Sequence, residues 1–261
     1  MKYTTLATVP MIFCMMAILG GNTQAENTYR GSLVEIPIDG FISPSQGFED
    51  KNIVEGVVYG YLPNSCYTLN KSEITFSPDN PKKMIFKQFA FKKADGVCAE
   101  NNSDGEGLAE HLKMRIPFSS EVFIGLLPIG SYKIEYQRDG GQGLRTLEVT
   151  KGTTAGDNFP YANVLNAMVT EVAYSNEEVN VSLSGVFNST CTTLDRVEQK
   201  KMNDVIVLFP ILKATPGKVC LQVLVPFQTS VNLGKISLGT HLIHIRSMNG
   251  KAVNRLVQVI Q

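Results

Sequence analysis

Gly60-Tyr-Leu-Pro-Asn-Ser-Cys66-Tyr-Thr-Leu69 returns later in the chain as Gly185-Val-Phe-Asn-Ser-Thr-Cys191-Thr-Thr-Leu194, with the glycine six residues ahead of the cysteine both times. The match extends in both directions. Upstream, Val54 and Val58 correspond to Val179 and Leu183, and downstream Val97-Cys98 corresponds to Val219-Cys220. Ile116-Pro117-Phe118, then Val122, Ile124, Gly125, Leu127, Ile129 and Gly130, matches Val225-Pro226-Phe227, then Val231, Leu233, Gly234, Ile236, Leu238 and Gly239. The following Ser131-Tyr-Lys-Ile-Glu-Tyr136 matches Thr240-His-Leu-Ile-His-Ile245, and the two runs end at Gly140-Gly141 and Asn249-Gly250. Asn-Gly is a hairpin turn signal. Self-similarity in one fixed order over so many positions marks a duplicated module.

The offset between copies falls from 125 at the first cysteine to 122 at the second and 109 at the Pro-Phe pair. The first copy therefore holds extra residues before Pro117, assigned to Asn101 to Lys113. Within each copy the local pattern is that of strands: Val54 and Val58, Ile74 and Phe76, Phe89 and Phe91, Val122 and Ile124, Ile134 and Tyr136 recur at period two between Gly, Pro, Asn and Ser clusters. Long apolar stripes at helical spacing are missing. Short helical turns are expected only over Gly107 to Met114 and Asp195 to Met202. About seven short strands per hundred residues, rich in turns, predict an all-β protein of two tandem immunoglobulin-like β-sandwich domains. The expected bounds are 28–151 for the first domain, 152–162 for a linker and 163–261 for the second.

Lys2, an apolar run to Leu19 and the small-residue stretch Gly20 to Ala25 read as a signal peptide over 1–25. Without it, 23 basic and 24 acidic groups leave a net charge near −1. That balance gives no electrostatic reason for a nucleic-acid partner. An exported chain is also an oxidised one, and four cysteines remain, which allow three pairings. Repeat symmetry selects Cys66 with Cys98 and Cys191 with Cys220, one disulfide inside each domain. No Cys-x-x-Cys spacing supports zinc or redox chemistry.

The string G-x-L-P-x-[ST]-C, a second cysteine, and P-F-x-x-x-V-x-[IL]-G-x-[IL]-x-x-G-[ST]-Y resembles a module of uncharacterised exported bacterial proteins with tandem, disulfide-bearing, immunoglobulin-like β-domains. The resemblance spans both copies, although Val186-Phe187-Asn188 replaces Tyr61-Leu62-Pro63 in the second. It implies an exported sandwich and no activity.

Histidine, the commonest proton shuttle near neutral pH, occurs three times, at His111, His241 and His244. The last two are three apart in an expected strand, so they face opposite ways and share no ion. His111 near Met114 offers only a thin copper signal. Asn102-Ser-Asp104-Gly-Glu106 imitates the start of a calcium loop, but its twelfth position is Lys113 instead of a bidentate glutamate. There is no G-x-S-x-G elbow, and Gly140-Gly141-Gln-Gly143 lies between strands, where no helix amides cradle a phosphate. The expectation is a secreted or periplasmic non-enzyme without catalytic residue, metal or cofactor, presenting loops and sheet edges to a protein or cell-envelope partner. Its candidate contacts are Asp104, Glu106, Glu110 and His111 in the insert. The rival readings are a secreted protease inhibitor and an exported hydrolase or metal-binding protein with an interdomain site.

Overall fold

Alternation of apolar and polar residues decides the architecture: in the computed structural model, which describes residues 31–94, 114–151, 161–215 and 219–261, the alternating runs are strands. The first copy supplies β1 (Gly31–Ile36), β2 (Gly40–Ile42), β3 (Phe48–Glu49), β4 (Ile53–Leu62), β5 (Tyr67–Ser77), β6 (Asn80–Lys93), β7 (Ile116–Leu126), β8 (Gly130–Arg138) and β9 (Gly141–Thr150). The second supplies β10 (Asn163–Val169), β11 (Val172–Tyr174), β12 (Asn180–Phe187), β13 (Thr192–Met202), β14 (Val205–Ala214), β15 (Val225–Asn232), β16 (Gly239–Arg246) and β17 (Ala252–Ile260). Among the described residues the one helical element is a 3₁₀ turn, Met248–Gly250, whose left-handed Asn249 (φ 62°) is a conformation asparagine tolerates.

Strand pairing repeats as the sequence does. In the first copy the larger sheet runs β1-β6-β8-β9-β3 with β5 also on β6, and the smaller runs β2-β4-β7. In the second, the larger runs β13-β14-β16-β17-β11 and the smaller β10-β12-β15. Ile85 pairs in parallel with Glu135 as Val207 does with His244. Tyr132 opposes Leu147 as His241 opposes Val257. These registers set Arg145 against Arg255 and Leu144 against Asn254, one residue beyond the offset on β8 and β16, because the second hairpin is one residue longer.

The expected helical turn at Asp195 to Met202 is instead part of β13. Its charge-rich face gives the segment a helical appearance in one dimension. On an edge strand the same charges face solvent, and a bulge between Leu194 and Arg196 resets the register. The other expected turn, Gly107 to Met114, falls outside the described residues except for its last member.

Each copy buries one core between its two sheets. Phe41, Val54, Val58 and Val122 meet Met84, Phe86, Ile134, Leu147 and Val149 in the first. In the second, Val164, Val181 and Leu183 meet Ile206, Leu208, Ile243, Ile245, Val257 and Val259. Both copies fasten the loops before β8 and β16 alike: Tyr132 Oη donates to the Pro128 carbonyl at 2.6 Å, and His241 Nε2 to the Ser237 carbonyl at 2.8 Å. Cys191 is bonded to Cys220, 29 residues on. Cys66 is buried and disulfide-bonded, while Cys98, the partner that the repeat predicts, lies outside the described residues. Residues 31–261 form one compact unit. No helix among the described residues is long and apolar enough to cross a membrane.

Candidate functional site at the junction of the copies

β14 and β16 alternate between two buried faces. Ile206, Leu208, Ile243 and Ile245 point into the second core, whereas Val205, Val207 and Leu242 point outward and meet Ile42 and Val57 of the first copy. Tyr59, Met202, Phe209 and Leu256 pack around this third cluster. The equivalent outward face of the first copy is a different surface: Lys83 stands for Val205, Ile85 for Val207, Lys133 for Leu242 and Glu135 for His244. There Lys83 pairs with Glu135 at 2.9 Å, and Lys87 with Glu35 at 2.9 Å. On the second copy, Ser182 and Ser184 occupy the places of Val57 and Tyr59. The outward face of β14 and β16 is thus apolar where the first copy covers it, as burial of apolar area requires, whereas its counterpart carries charged pairs.

Polar groups cross the same boundary. Asn254 Nδ2 donates to Glu55 Oε1 at 3.1 Å, and Asn254 Oδ1 accepts from His244 Nδ1 at 2.8 Å. The acceptor fixes the tautomer: the imidazole proton is on Nδ1, leaving the Nε2 lone pair buried and without a hydrogen-bond partner. His244 is 1 % and Glu55 7 % exposed. Burial, reinforced by the Arg246 charge and opposed by the Asn254 bond, holds His244 down at about 3, so it is neutral. Its 3.8 Å approach to Glu55 is accordingly no ion pair. Burial also raises the Glu55 carboxyl, with Asn254 opposing, Glu121 adding to the rise and Arg246 opposing. Ser43 Oγ is occupied by the Glu55 carbonyl at 2.6 Å. Burial likewise raises the Tyr59 hydroxyl, which hydrogen-bonds Thr240 across the junction.

Beside this network lies a cleft of about 120 Å³ whose walls include Glu49, Asn52, Tyr161, Lys200, Phe209 and Arg246. Arg246 donates to the Gly47 carbonyl and covers the Phe48 ring at 5.7 Å. Tyr161 bridges to Ile211 and lies 6.1 Å from the Phe209 ring, so the end of the expected linker packs with the second copy. Chemically, a buried histidine and a largely buried carboxylate joined through an amide tie the two copies together.

Of the residues singled out in the sequence, Asp104, Glu106, Glu110 and His111 lie outside the described residues. His241 and His244 do face opposite ways, each into a buried layer. Glu55 and Asn254 went unnoticed. Among the described residues no three His, Cys, Asp or Glu side chains converge as metal ligands. Residues 181–259, from β12 to β17, match the family model of the ORF11 beta-sandwich domain. No curated protein and no solved structure matches the chain. Over under a third of its length, then, the chain is similar to a known β-sandwich domain.

Proposed function

We propose that the chain is an exported, non-enzymatic binding or structural protein, in which two disulfide-bearing immunoglobulin-like sandwiches present strand edges and loops to a protein or cell-envelope partner. The immunoglobulin likeness rests on two layers per copy and on the Tyr132 bond to a carbonyl four residues upstream, a corner that such domains share. The parallel pairs β6/β8 and β14/β16 depart from the all-antiparallel order.

The observation that carries the reading is an apolar patch on the outward face of β4 and β7. Ile53 (51 % exposed) opposes Leu126 (64 %), and Phe123 (64 %) opposes Glu55. Large apolar side chains gathered in water, beside a junction that fixes the two copies together, mark a contact surface. β7 is also an edge strand, continuous in sequence with the insert Asn101 to Lys113. Changing Phe123 and Leu126 to serine is expected to abolish capture from an envelope extract with the melting temperature unchanged. Deleting 101–113 is expected to do the same. Undiminished capture by both variants sinks the proposal.

The rival reading of an enzyme or metal protein at the junction draws support from the Glu55–Asn254–His244 network. Metal analysis of purified protein decides it: one equivalent of zinc or copper would favour the rival.

A further inference from the structure

Open sheet edges invite foreign strands, and proteins blunt them with charges, bulges or short length. Among the described residues, most edges of this chain are blunted in these ways. β13 carries Asp195, Arg196, Glu198, Lys200 and Lys201, and β5 carries Lys71 and Glu73. β7 holds Glu121 and the left-handed Gly125 at its bulge. β3 and β11 are two and three residues long. β10 is clamped from β17, where Arg255 donates to the Ala167 carbonyl at 2.7 Å and to Asn166 Oδ1 at 2.8 Å.

β15 has none of these devices beyond Pro226 near its start. Eight residues long, it pairs with β12 on one side, and no described strand pairs with the other. From Val219 to Gly234 there is no charged residue. The inward row Val225, Phe227, Thr229 and Val231 is only half-buried, because the covered floor runs out beneath the edge. Phe227 is braced by stacking on Phe187 at 4.6 Å, so the strand is held in a pairing-ready shape. Directly ahead of it, Val219, Leu221 and Leu224 expose further apolar surface.

We propose that β15 pairs antiparallel with β15 of a second copy of this chain, joining two three-stranded sheets into one of six. A two-fold antiparallel contact sets residue i opposite j and j opposite i, with the residue on the axis opposite itself, so a charge at the axis would meet its like, which is unfavourable. A charge-free strand with outward Ser230 at the axis satisfies that condition, and hydroxyls pair well across strands. Pro226, which lacks an N–H, leaves Gln228–Asn232 for a pairing centred on Ser230.

Sedimentation equilibrium of the disulfide-intact mature chain tests this. The wild type is expected to give dimer mass, and Ser230→Lys, an outward and exposed position, monomer mass with the melting temperature retained. Ser230→Cys, oxidised, is expected to yield a covalent dimer by mass spectrometry. A monomeric wild type, or a Ser230→Lys variant that still dimerises, overturns the proposal, as does a monomer that accepts a foreign strand-forming peptide at this edge. Because Phe123 and Leu126 lie on the other copy, these outcomes are independent of partner capture.

Discussion

Arg145 of the first copy holds Asp204 of the second: its Nη1 lies 2.9 and 2.7 Å from the two carboxylate oxygens while its Nη2 donates to the Ser43 carbonyl. Arg255, its counterpart, spends the same donors inside its own copy, so Arg145 adds a crossing role to an inherited one. The pair is partly screened, with side chains 18 % and 32 % exposed. Asp204→Asn leaves a half-buried cation whose Nε already has no hydrogen-bond partner. Urea denaturation is expected to show a loss of about 1–2 kcal/mol, shrinking in high salt.

Val207→Lys places an ammonium in the apolar cluster between the copies. A loss of at least about 3 kcal/mol is expected, and calorimetry should resolve two transitions where the wild type shows one. Ile85→Lys, the same change at the equivalent outward position of the first copy, should stay within about 0.5 kcal/mol. Equal effects would show that the junction does not couple the copies.

Acid should weaken the junction through His244. Its folded value, about 3, lies below the ordinary 6.5, so between these limits the unfolded chain takes up a proton that the folded chain refuses. Stability therefore falls as pH drops through that window, by about 4 kcal/mol near pH 3. Glu55 acts with the opposite sign. Its raised carboxyl lets the folded chain bind a proton first, offsetting part of the loss just above 4.5. His244→Gln keeps a donor for Asn254 without titrating, and pH-dependent denaturation of that variant should lose the acid limb. An unchanged limb would rule out this histidine as its source.

Replacing Cys191 and Cys220 together by alanine frees a loop of 29 residues. By loop entropy the cost is about 3.5 kcal/mol, read as a lower denaturation midpoint. Thr190, hydrogen-bonded to Leu221 through both its backbone N–H and its Oγ1, should become the first site of hydrogen exchange to lose protection.

Much of the architecture could be read from the repeat, because a register shared by two copies survives any local ambiguity. Tyr132 and His241, aligned by sequence alone, prove to make the same bond four residues back. The junction was harder. Its signal was the unbroken apolar run Val205 to Phe209 at the repeat positions where the other copy has Lys83 to Lys87, since a strand buried on both faces loses its alternation. That contrast announces a covered face but does not say what covers it. Glu55 and Asn254 are far apart in sequence, and nothing local distinguishes a carboxylate sealed by a remote amide from one in water.

Unequal faces also give the duplication a direction in time. A chain that emerges N-terminus first forms the N-terminal half, whose larger outward sheet carries charged pairs, ahead of the C-terminal one. Its patch around Ile42 and Val57 is then a prepared bed for Val205, Val207 and Leu242. Reversing the order of the copies would bring out the greasy module first, with nothing yet made to shelter it.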